Sequence, residues 1–368
     1  MKKLFSITVS LFAFAAMATA QTDFRHISLD EAAKAAEAEN KLIFIDIYTS
    51  WCGPCKMMAS KTFPQKEVGD YMNKTFVCVK FDAEKDDGPE VAKLYDVKAY
   101  PTFIIATPDK KELNRVLGYY EDDKWIERLQ QVVQPENSPV RLRERYANGE
   151  RTAEVVKGLA YIIDDDMRMI CQGKEHDSLE NMRDNMVNSY FNSLDDNSRM
   201  DVKNLFIFKE YAYDINSSQF KYMVANRSKF TGEHKEIADK VIAAVYHDEL
   251  MEALTHGKYS DATAYEALKK AIADGGLNAD GKYDTAYQMI ETYAKGDLDK
   301  YLAFCQKNFK KLPADQVTPF LENFAERFKD GTDEQRAKLC KYLRSLLPDL
   351  PIRPLYRCAS EISKMEKD

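Results

Sequence analysis

The chain has 368 residues, a formal net charge of −7 at neutral pH and seven cysteines. This acidity argues against a role in binding nucleic acids or anionic lipid surfaces, because both attract basic proteins. The cysteines are too sparse for a disulfide-stabilised scaffold, and the length predicts two domains or one domain with a large addition.

The first twenty residues have the pattern of a secretory signal peptide. Residues 1–3 (Met-Lys-Lys) form a charged start, residues 4–17 an apolar run, and residues 18–20 (Ala-Thr-Ala) a cleavage site. An N-terminal membrane anchor is the alternative, but the apolar run is shorter than the roughly 20 residues that a spanning helix needs. We therefore predict a mature protein that begins at Gln21, is periplasmic or secreted, and is not embedded in a membrane.

Residues 24–134 alternate between short apolar runs, typical of buried strands, and segments with helical spacing. Ser28 is the predicted N-cap of the first helix. Residues 24–27 form a short apolar piece. The predicted strands are 42–48, 76–81, 102–106 and 113–117, and the predicted helices are 29–38, a segment that starts after Cys55, 89–95 and 122–133. This alternation predicts an α/β domain whose sheet is covered by helices on both faces.

A polar segment with two prolines, residues 134–139, is predicted to be a linker. From residue 140 onward the periodicity is helical nearly everywhere, and about a dozen helices fit this stretch. We therefore predict a first domain at 21–137 and an all-α domain at 138–368. A solenoid-like stack is one arrangement for these helices, although no fixed repeat period holds.

Polar or glycine-containing breaks separate the predicted helices of this second region. They are residues 148–149, 164–166, 275–276 and 330–331. The run of three aspartates at 164–166 is predicted to be a solvated turn. It is not predicted to be a calcium loop, because the further oxygen ligands and the glycine of such a loop are missing.

The most informative feature of the chain is the cysteine pair Cys52 and Cys55. It directly follows a predicted buried strand and directly precedes a predicted helix. Cys52 would therefore lie at a helix N-terminus, where unpaired backbone N–H groups and the macrodipole favour a thiolate. Because the thiolate is the form that attacks disulfides, this placement points to thiol–disulfide exchange.

Two other roles for the pair are weighed against exchange. A structural zinc site needs four ligands, but the remaining cysteines are scattered singly and the five histidines form no closely spaced pair. A purely structural disulfide would not explain why the pair lies between a strand and a helix. The single cysteines are predicted to be packed thiols, although a second redox pair among them stays open; they are Cys78, Cys171, Cys305, Cys340 and Cys358.

Four features in register make residues 24–134 resemble the thioredoxin family. The segment 51–56 (Trp-Cys-Gly-Pro-Cys-Lys) matches the active-site motif of that family at every position. The buried acid of the preceding strand falls on Asp46, and the strand lysine that approaches it falls on Lys80. The cis-proline that faces the disulfide falls on Pro101, followed by the usual threonine, Thr102. The resemblance implies an α/β thioredoxin fold followed by the all-α domain.

The chain departs from cytosolic thioredoxins in two places. Tyr100 precedes the proline where those proteins usually carry an aliphatic residue, and residues 84–88 form an inserted acidic loop. In both respects the domain looks more like the C-terminal thioredoxin-like domain of membrane thiol:disulfide interchange reductases. The helical half resembles tails seen on exported thioredoxin-family proteins, and it carries no functional residues over from them.

The resemblance implies a role for each residue of the motif. Cys52 would attack a substrate disulfide, and Cys55 would resolve the mixed disulfide. Asp46, if it is buried beneath the pair, would have a raised pKa and accept the proton of Cys55, while Lys80 would tune that carboxylate. The redox disulfide would serve in place of any cofactor, with no metal.

Substrate binding is assigned to the residues around the cysteines. Trp51 would shield the site and give substrates an apolar platform, with Gly53 and Pro54 beside it. A cis bond at Pro101 would leave the backbone of Tyr100 open to strand-like pairing with a substrate, and would keep metals away from the dithiol. Each of these roles rests on the resemblance.

We therefore predict an exported thiol–disulfide oxidoreductase that reduces disulfide-containing proteins, since the Gly-Pro dipeptide resembles that of reducing family members. A membrane thiol reductase is the expected electron donor, and nucleic acids are not expected as partners. An alternative is a helical protein-binding module with a redox-sensitive holder domain. An oxidase or isomerase role is a third possibility, which the fold allows and the dipeptide disfavours.

Overall fold

The computed structural model describes residues 21–170, 172–257, 259 and 261–366, and the chain divides into two compact units between Ser193 and Leu194. The predicted signal peptide, residues 1–20, and the predicted packed thiol Cys171 lie outside the described residues. Within those residues, no helix has both the length and the apolar character needed to cross a bilayer.

A five-stranded mixed sheet forms the centre of the first unit. Its strands are β1 (Phe24–Arg25), β2 (Leu42–Tyr48), β3 (Phe76–Asp82), β4 (Thr102–Ala106) and β5 (Glu112–Leu117). The spatial order is β1-β3-β2-β4-β5, in which β3 pairs in parallel with β1 and β2, and β4 pairs antiparallel with β2 and β5. The four strands predicted from the apolar runs are confirmed as β2 to β5, and β1 is an additional strand within the short apolar piece at 24–27.

Helices cover both faces of this sheet, as the sequence predicts. They are α1 (Leu29–Glu39), α2 (Gly53–Met57), α3 (Lys66–Thr75), α4 (Gly88–Leu94) and α5 (Asp122–Val132). One core contains residues of α1 and α4, and the other contains residues of α3 and α5 together with Met58. Ser28 caps α1 in a reciprocal capping box with Glu31, which confirms the predicted N-cap.

The alternation of β2 decides what faces the dithiol helix. Ile43, Ile45 and Ile47 belong to the core on the side of α1 and α4, whereas Phe44 belongs to the opposite core. Because successive strand residues point to opposite faces, Asp46 lies on the same face as Phe44. Its register partner in β3 is Lys80.

The first unit does not end at the predicted linker. Residues 135–137 form a short 3-10 helix, and α6 (Pro139–Ala147), α7 (Ala153–Ile170) and α8 (Lys174–Ser193) belong to the same compact unit. The predicted boundary at 137/138 rests on the local composition of the chain. The compact unit continues past it because side chains of α7 contact side chains of α5, which is distant in sequence.

A buried ion pair makes the main polar contact between α5 and α7. Arg128 donates to Asp165 at 2.8 Å, and their side chains are only 2% and 7% exposed. Tyr120 also donates to Asp165 (3.1 Å), and Arg168 donates to the carbonyl of Leu117 (2.8 Å). The predicted solvated turn at 164–166 is therefore wrong. These aspartates lie inside α7, and the central one is buried because an arginine from another helix compensates its charge.

The described part of the second unit is helical, without strands. Its longer helices are α10 (Leu205–Tyr211), α11 (Ser218–Ala225), α12 (Gly232–His256), α13 (Ala262–Asp274), α14 (Asp284–Tyr293), α15 (Leu298–Asn308), α16 (Ala314–Leu321), α18 (Asp333–Leu346) and α19 (Ile352–Met365), and α9 (Asp196–Arg199) and α17 (Phe324–Arg327) are single turns. Aromatic rings pack among these helices, for example Phe320 against Phe324 at 4.9 Å.

The single cysteines that the structure describes are buried and form no disulfide, as predicted for packed thiols. They are Cys78, Cys305, Cys340 and Cys358.

We expect Asp165→Ala to destabilise the first unit by about 3–5 kcal/mol, because it leaves the buried Arg128 without its counter-charge. Both tryptophans of the chain, Trp51 and Trp125, lie in this unit, so tryptophan fluorescence during urea unfolding reports its stability. The control is Asp166→Ala, whose side chain is half exposed and pairs with Arg143 at 3.7 Å. It should cost less than about 1 kcal/mol. Equal losses in the two variants would show that the buried pair is not what holds α7 to α5.

Candidate dithiol site

The cysteine pair closes a disulfide at the start of α2. Cys52 is the N-cap and Cys55 lies in the first turn, with an S–S distance of 1.96 Å and a Cα–Cα distance of 5.3 Å. The sulfur of Cys52 accepts the backbone N–H of Cys55 at 3.1 Å. A hydrogen bond of this kind stabilises negative charge on the sulfur, so the arrangement favours a thiolate at Cys52 after reduction.

The exposure of the two cysteines differs from the expectation. The sequence predicts an exposed Cys52 and a deeper Cys55, whereas Cys52 is 3% exposed and Cys55 is 8% exposed in the oxidised state. The disulfide bond directs each sulfur towards the other, which removes surface from both. The position of Cys52 at the helix N-terminus, and not its accessibility, therefore distinguishes it from Cys55.

Asp46 is a buried carboxyl without a hydrogen-bond partner among the described residues. It is 8% exposed, and its Oδ1 atom contacts no donor within the described part of the chain. Burial raises its pKa to about 7, against the opposing effect of the Lys80 charge, which lowers it. A group with this pKa is present in both protonation states near neutral pH, which is the condition for moving protons there.

A polar cavity of about 340 Å³ adjoins Asp46. Both Asp46 and Lys80 line it, together with Phe24, His26 and Phe63. The ammonium of Lys80 lies over the Phe24 ring at 5.7 Å from its centroid. The sequence singles out Asp46 and Lys80 but not the segment 21–26, because only the pairing of β1 with β3 brings that segment to this place.

Trp51, the predicted platform for substrates, is 64% exposed. Its side chain is held by an edge-to-face contact with Tyr100 (6.1 Å between centroids) and by an N–H···O bond to Glu84 at 2.9 Å. Glu84 belongs to the acidic loop that the sequence singles out, yet its bond to Trp51 is not predicted. That loop closes tightly, since a Cβ on Gly88 would lie 1.8 Å from the carbonyl oxygen of Asp82.

The predicted cis bond is present between Tyr100 and Pro101. Thr102 donates to the carbonyl of Ala99 at 2.8 Å, and Gly118 N–H donates to the carbonyl of Pro101 at 3.0 Å. Neither the N–H nor the C=O of Tyr100 has a hydrogen-bond partner among the described residues. Among these residues, the backbone of Tyr100 thus has one unpaired donor and one unpaired acceptor.

Gly53 and Pro54 are exposed, and no atom lies within 4 Å of the position that a Cβ on Gly53 would occupy. These residues and Trp51 form an open border around the buried disulfide.

Within the described chain, the side chains close enough together to hold a metal ion are those of His176, Asp177 and Glu180 at the start of α8. This group contains neither cysteine.

Comparison with known proteins gives a consistent likeness for the first unit. A family model described as Thioredox_DsbH (protein of unknown function, DUF255) matches residues 17–124. An H-type thioredoxin of Oryza sativa subsp. indica is 37% identical over 90 residues, which cover 24% of this chain and 67% of the relative. A thioredoxin-like protein of Synechocystis is 30% identical over 93 residues, which cover 25% of this chain and 83% of the relative.

Among solved structures, the oxidised C-terminal domain of DsbD from Neisseria meningitidis is 29% identical. That match covers 28% of this chain and 88% of the domain, with a TM-score of 0.25. Other relatives are matched less completely: the chain spans 53% of the chloroplastic thioredoxin Y2 of Arabidopsis thaliana and 43% of its thioredoxin F2, about half their length.

We expect Asp46→Asn to stabilise the first unit increasingly as the pH rises from 4 to 8. The raised pKa means that folded Asp46 holds its proton up to about pH 7, whereas the unfolded chain releases it near 3.8. The wild-type protein therefore loses up to about 4 kcal/mol of stability across this window, and the asparagine variant does not. Urea unfolding of the oxidised protein at several pH values measures the difference. Asp86→Asn, an exposed position, is the control, and parallel pH profiles for all three proteins would contradict the assignment.

Proposed function

Because the chain belongs to the thioredoxin family, we propose that it is an exported thiol–disulfide oxidoreductase that reduces disulfides in proteins through Cys52 and Cys55. The observation that carries the proposal is the disulfide at the N-terminus of α2, with a buried carboxyl in the adjoining strand. Export is proposed from the pattern of residues 1–20, and the reducing direction from the Gly-Pro dipeptide between the cysteines.

The proposed reaction begins with the reduced dithiol. The Cys52 thiolate attacks one sulfur of the substrate disulfide, which forms a mixed disulfide and releases the other substrate sulfur as a thiolate. Cys55 then loses its proton to the Asp46 carboxylate and attacks the Cys52 sulfur. This releases the second substrate thiolate and leaves the Cys52–Cys55 disulfide, so that two electrons have passed from the protein to the substrate.

Asp46 has the properties that this proton transfer requires. Its pKa of about 7 lets the carboxylate accept a proton at neutral pH and give it up again. The adjoining polar cavity is large enough for water, which supports a route by which the proton leaves the core. Lys80 acts on this step through its charge, since it lowers the pKa of Asp46.

The open backbone at Tyr100 supports binding of an extended substrate segment. Its free N–H and C=O would pair with the substrate main chain beside the disulfide, as an added strand does. Trp51 and the exposed Gly53-Pro54 pair would contact the substrate on the other side. Main-chain pairing of this kind recognises conformation more than sequence, which suits a protein with many disulfide substrates.

A protein that reduces substrates must itself be reduced again. In the oxidising space outside the cytoplasm, we propose a membrane thiol reductase as the source of these electrons. The proposed cycle needs no cofactor, because the dithiol carries both electrons.

We expect Cys52→Ser to abolish reduction of insulin, and Cys55→Ser to accumulate mixed disulfides with substrate proteins. In the first variant the attacking sulfur is missing, and in the second only the resolving sulfur is. Non-reducing gel electrophoresis and an insulin turbidity assay measure the two effects. Cys340→Ser, which removes a buried thiol of the second unit, serves as the control and should behave like wild type. Activity retained by Cys52→Ser would refute the assignment of the attacking sulfur.

The direction of electron flow is tested by the reduction potential of the Cys52–Cys55 pair in glutathione buffers. We expect a value of about −270 mV, as for thioredoxin, because the dipeptide between the cysteines is that of reducing family members. Quantifying the alkylated fraction across a series of glutathione ratios gives the potential. A value of about −120 mV would indicate a disulfide-forming oxidant, and the proposed direction of electron flow would then be wrong.

A further inference from the structure

A groove of about 800 Å³ lies in the second unit, among α11, α12 and α13. Its size falls within the range of about 300–1,000 Å³ that is usual for ligand sites. The groove and all residues that line it belong to residues 215–271, so they form a feature of the helical unit alone.

The positions of large and small side chains determine the shape of the groove. Aromatic and aliphatic residues make a buried floor, among them Phe220, Tyr246 and Tyr265. Alanines on the surrounding helices leave the space above that floor open; they are Ala225, Ala253, Ala264, Ala267 and Ala271. Val224, another apolar residue of the lining, is 36% exposed, and exposed apolar surface of this kind is typical of binding sites.

The charge of the groove is mostly negative. Three of its lining residues are carboxylates and one is a lysine. Glu252 pairs with His256 at 2.9 Å, and Asp261 caps α13 by accepting the N–H of Thr263 at 2.7 Å. Each of these two carboxylates therefore already has a partner.

Glu249 is different, because it makes no hydrogen bond or ion pair within the described chain. Burial raises its pKa, and the neighbouring charges of Asp214, Glu252 and Asp248 raise it further. Glu249 is a solvent-exposed residue of the groove lining, and other acidic charges lie near it. A cation placed there would be attracted by Glu249 and by these neighbouring charges.

We propose that this groove binds a polypeptide segment that carries apolar side chains next to a lysine or arginine. The apolar side chains would cover Phe220, Tyr246 and Leu268, and the cationic group would lie at Glu249. A helix laid in a groove between helices is a common way to bury such a segment. A second copy of this chain is a poorer fit, because its net charge of −7 would oppose the negative groove. The inference does not depend on the proposed redox function.

The test uses the full-length chain and a fluorescein-labelled peptide of twelve residues. The probe carries leucine and phenylalanine at helical spacing and four lysine or arginine residues. One matched peptide has glutamate at each basic position, and another has serine at each apolar position. Fluorescence anisotropy should show saturable binding of the probe only, and binding should weaken as salt screens the charges.

Two substitutions locate the site, each with a matched control on α12. Glu249→Lys should weaken probe binding by roughly tenfold, because it places like charges together, whereas Glu236→Lys makes the same charge change at an exposed position outside the groove. Ala267→Trp should fill the groove and abolish binding, whereas Ala244→Trp adds the same ring at an exposed position elsewhere. Circular dichroism checks that all four variants fold.

Three outcomes would overturn the proposal. The probe does not bind, the groove variants bind it as well as their controls do, or the glutamate peptide binds equally well. Benzyltrimethylammonium provides a further arm: binding of this small cation at Glu249 without binding of the peptide would identify a small-molecule site. In that case, too, the polypeptide proposal would be wrong.

Discussion

Burial of the Asp46 carboxyl is the constraint on which the candidate site depends. The alternation of β2 places this residue on the face of Phe44, within a core where Phe44 contacts Phe103 and Trp125. A carboxylate at such a place costs free energy, because water no longer solvates the charge. The aromatic core stabilises the fold around it, and the cost appears as a pKa raised to about 7. A carboxyl with this pKa can accept and release a proton near neutral pH.

The first unit contains a second buried aspartate, Asp165, whose carboxylate accepts several hydrogen bonds. Asp165 accepts bonds from Arg128, Arg168 and Tyr120, so three donors surround it. At Asp46, by contrast, no donor among the described residues reaches the Oδ1 atom. Burial raises the pKa of both carboxyls. The donors of Asp165 oppose that effect and join α7 to α5, whereas at Asp46 only the charge of Lys80 opposes it.

The two proposals assign different kinds of recognition to the two units. At the dithiol face, the proposed contact is the backbone of Tyr100, whose N–H and C=O have no partner among the described residues. The helical unit offers an apolar groove with an uncompensated carboxylate at Glu249, which is suited to side chains. If both proposals hold, the protein would select partners by one unit and react with their disulfides by the other.

Local patterns in the sequence were sufficient for four of the five strands, for most helices of the first unit and for the dithiol motif. Apolar runs, helical spacing and the separation between Asp46, Cys52 and Pro101 are all readable along the chain. Tertiary structure alone decided the helical state of residues 164–166, the extension of the first unit to Ser193, the contact of Trp51 with Glu84 and the groove around Glu249. Each of these depends on groups far apart in sequence. Three consecutive aspartates predict a turn when considered locally, and they remain helical because Arg128, 37 residues away, neutralises the buried one.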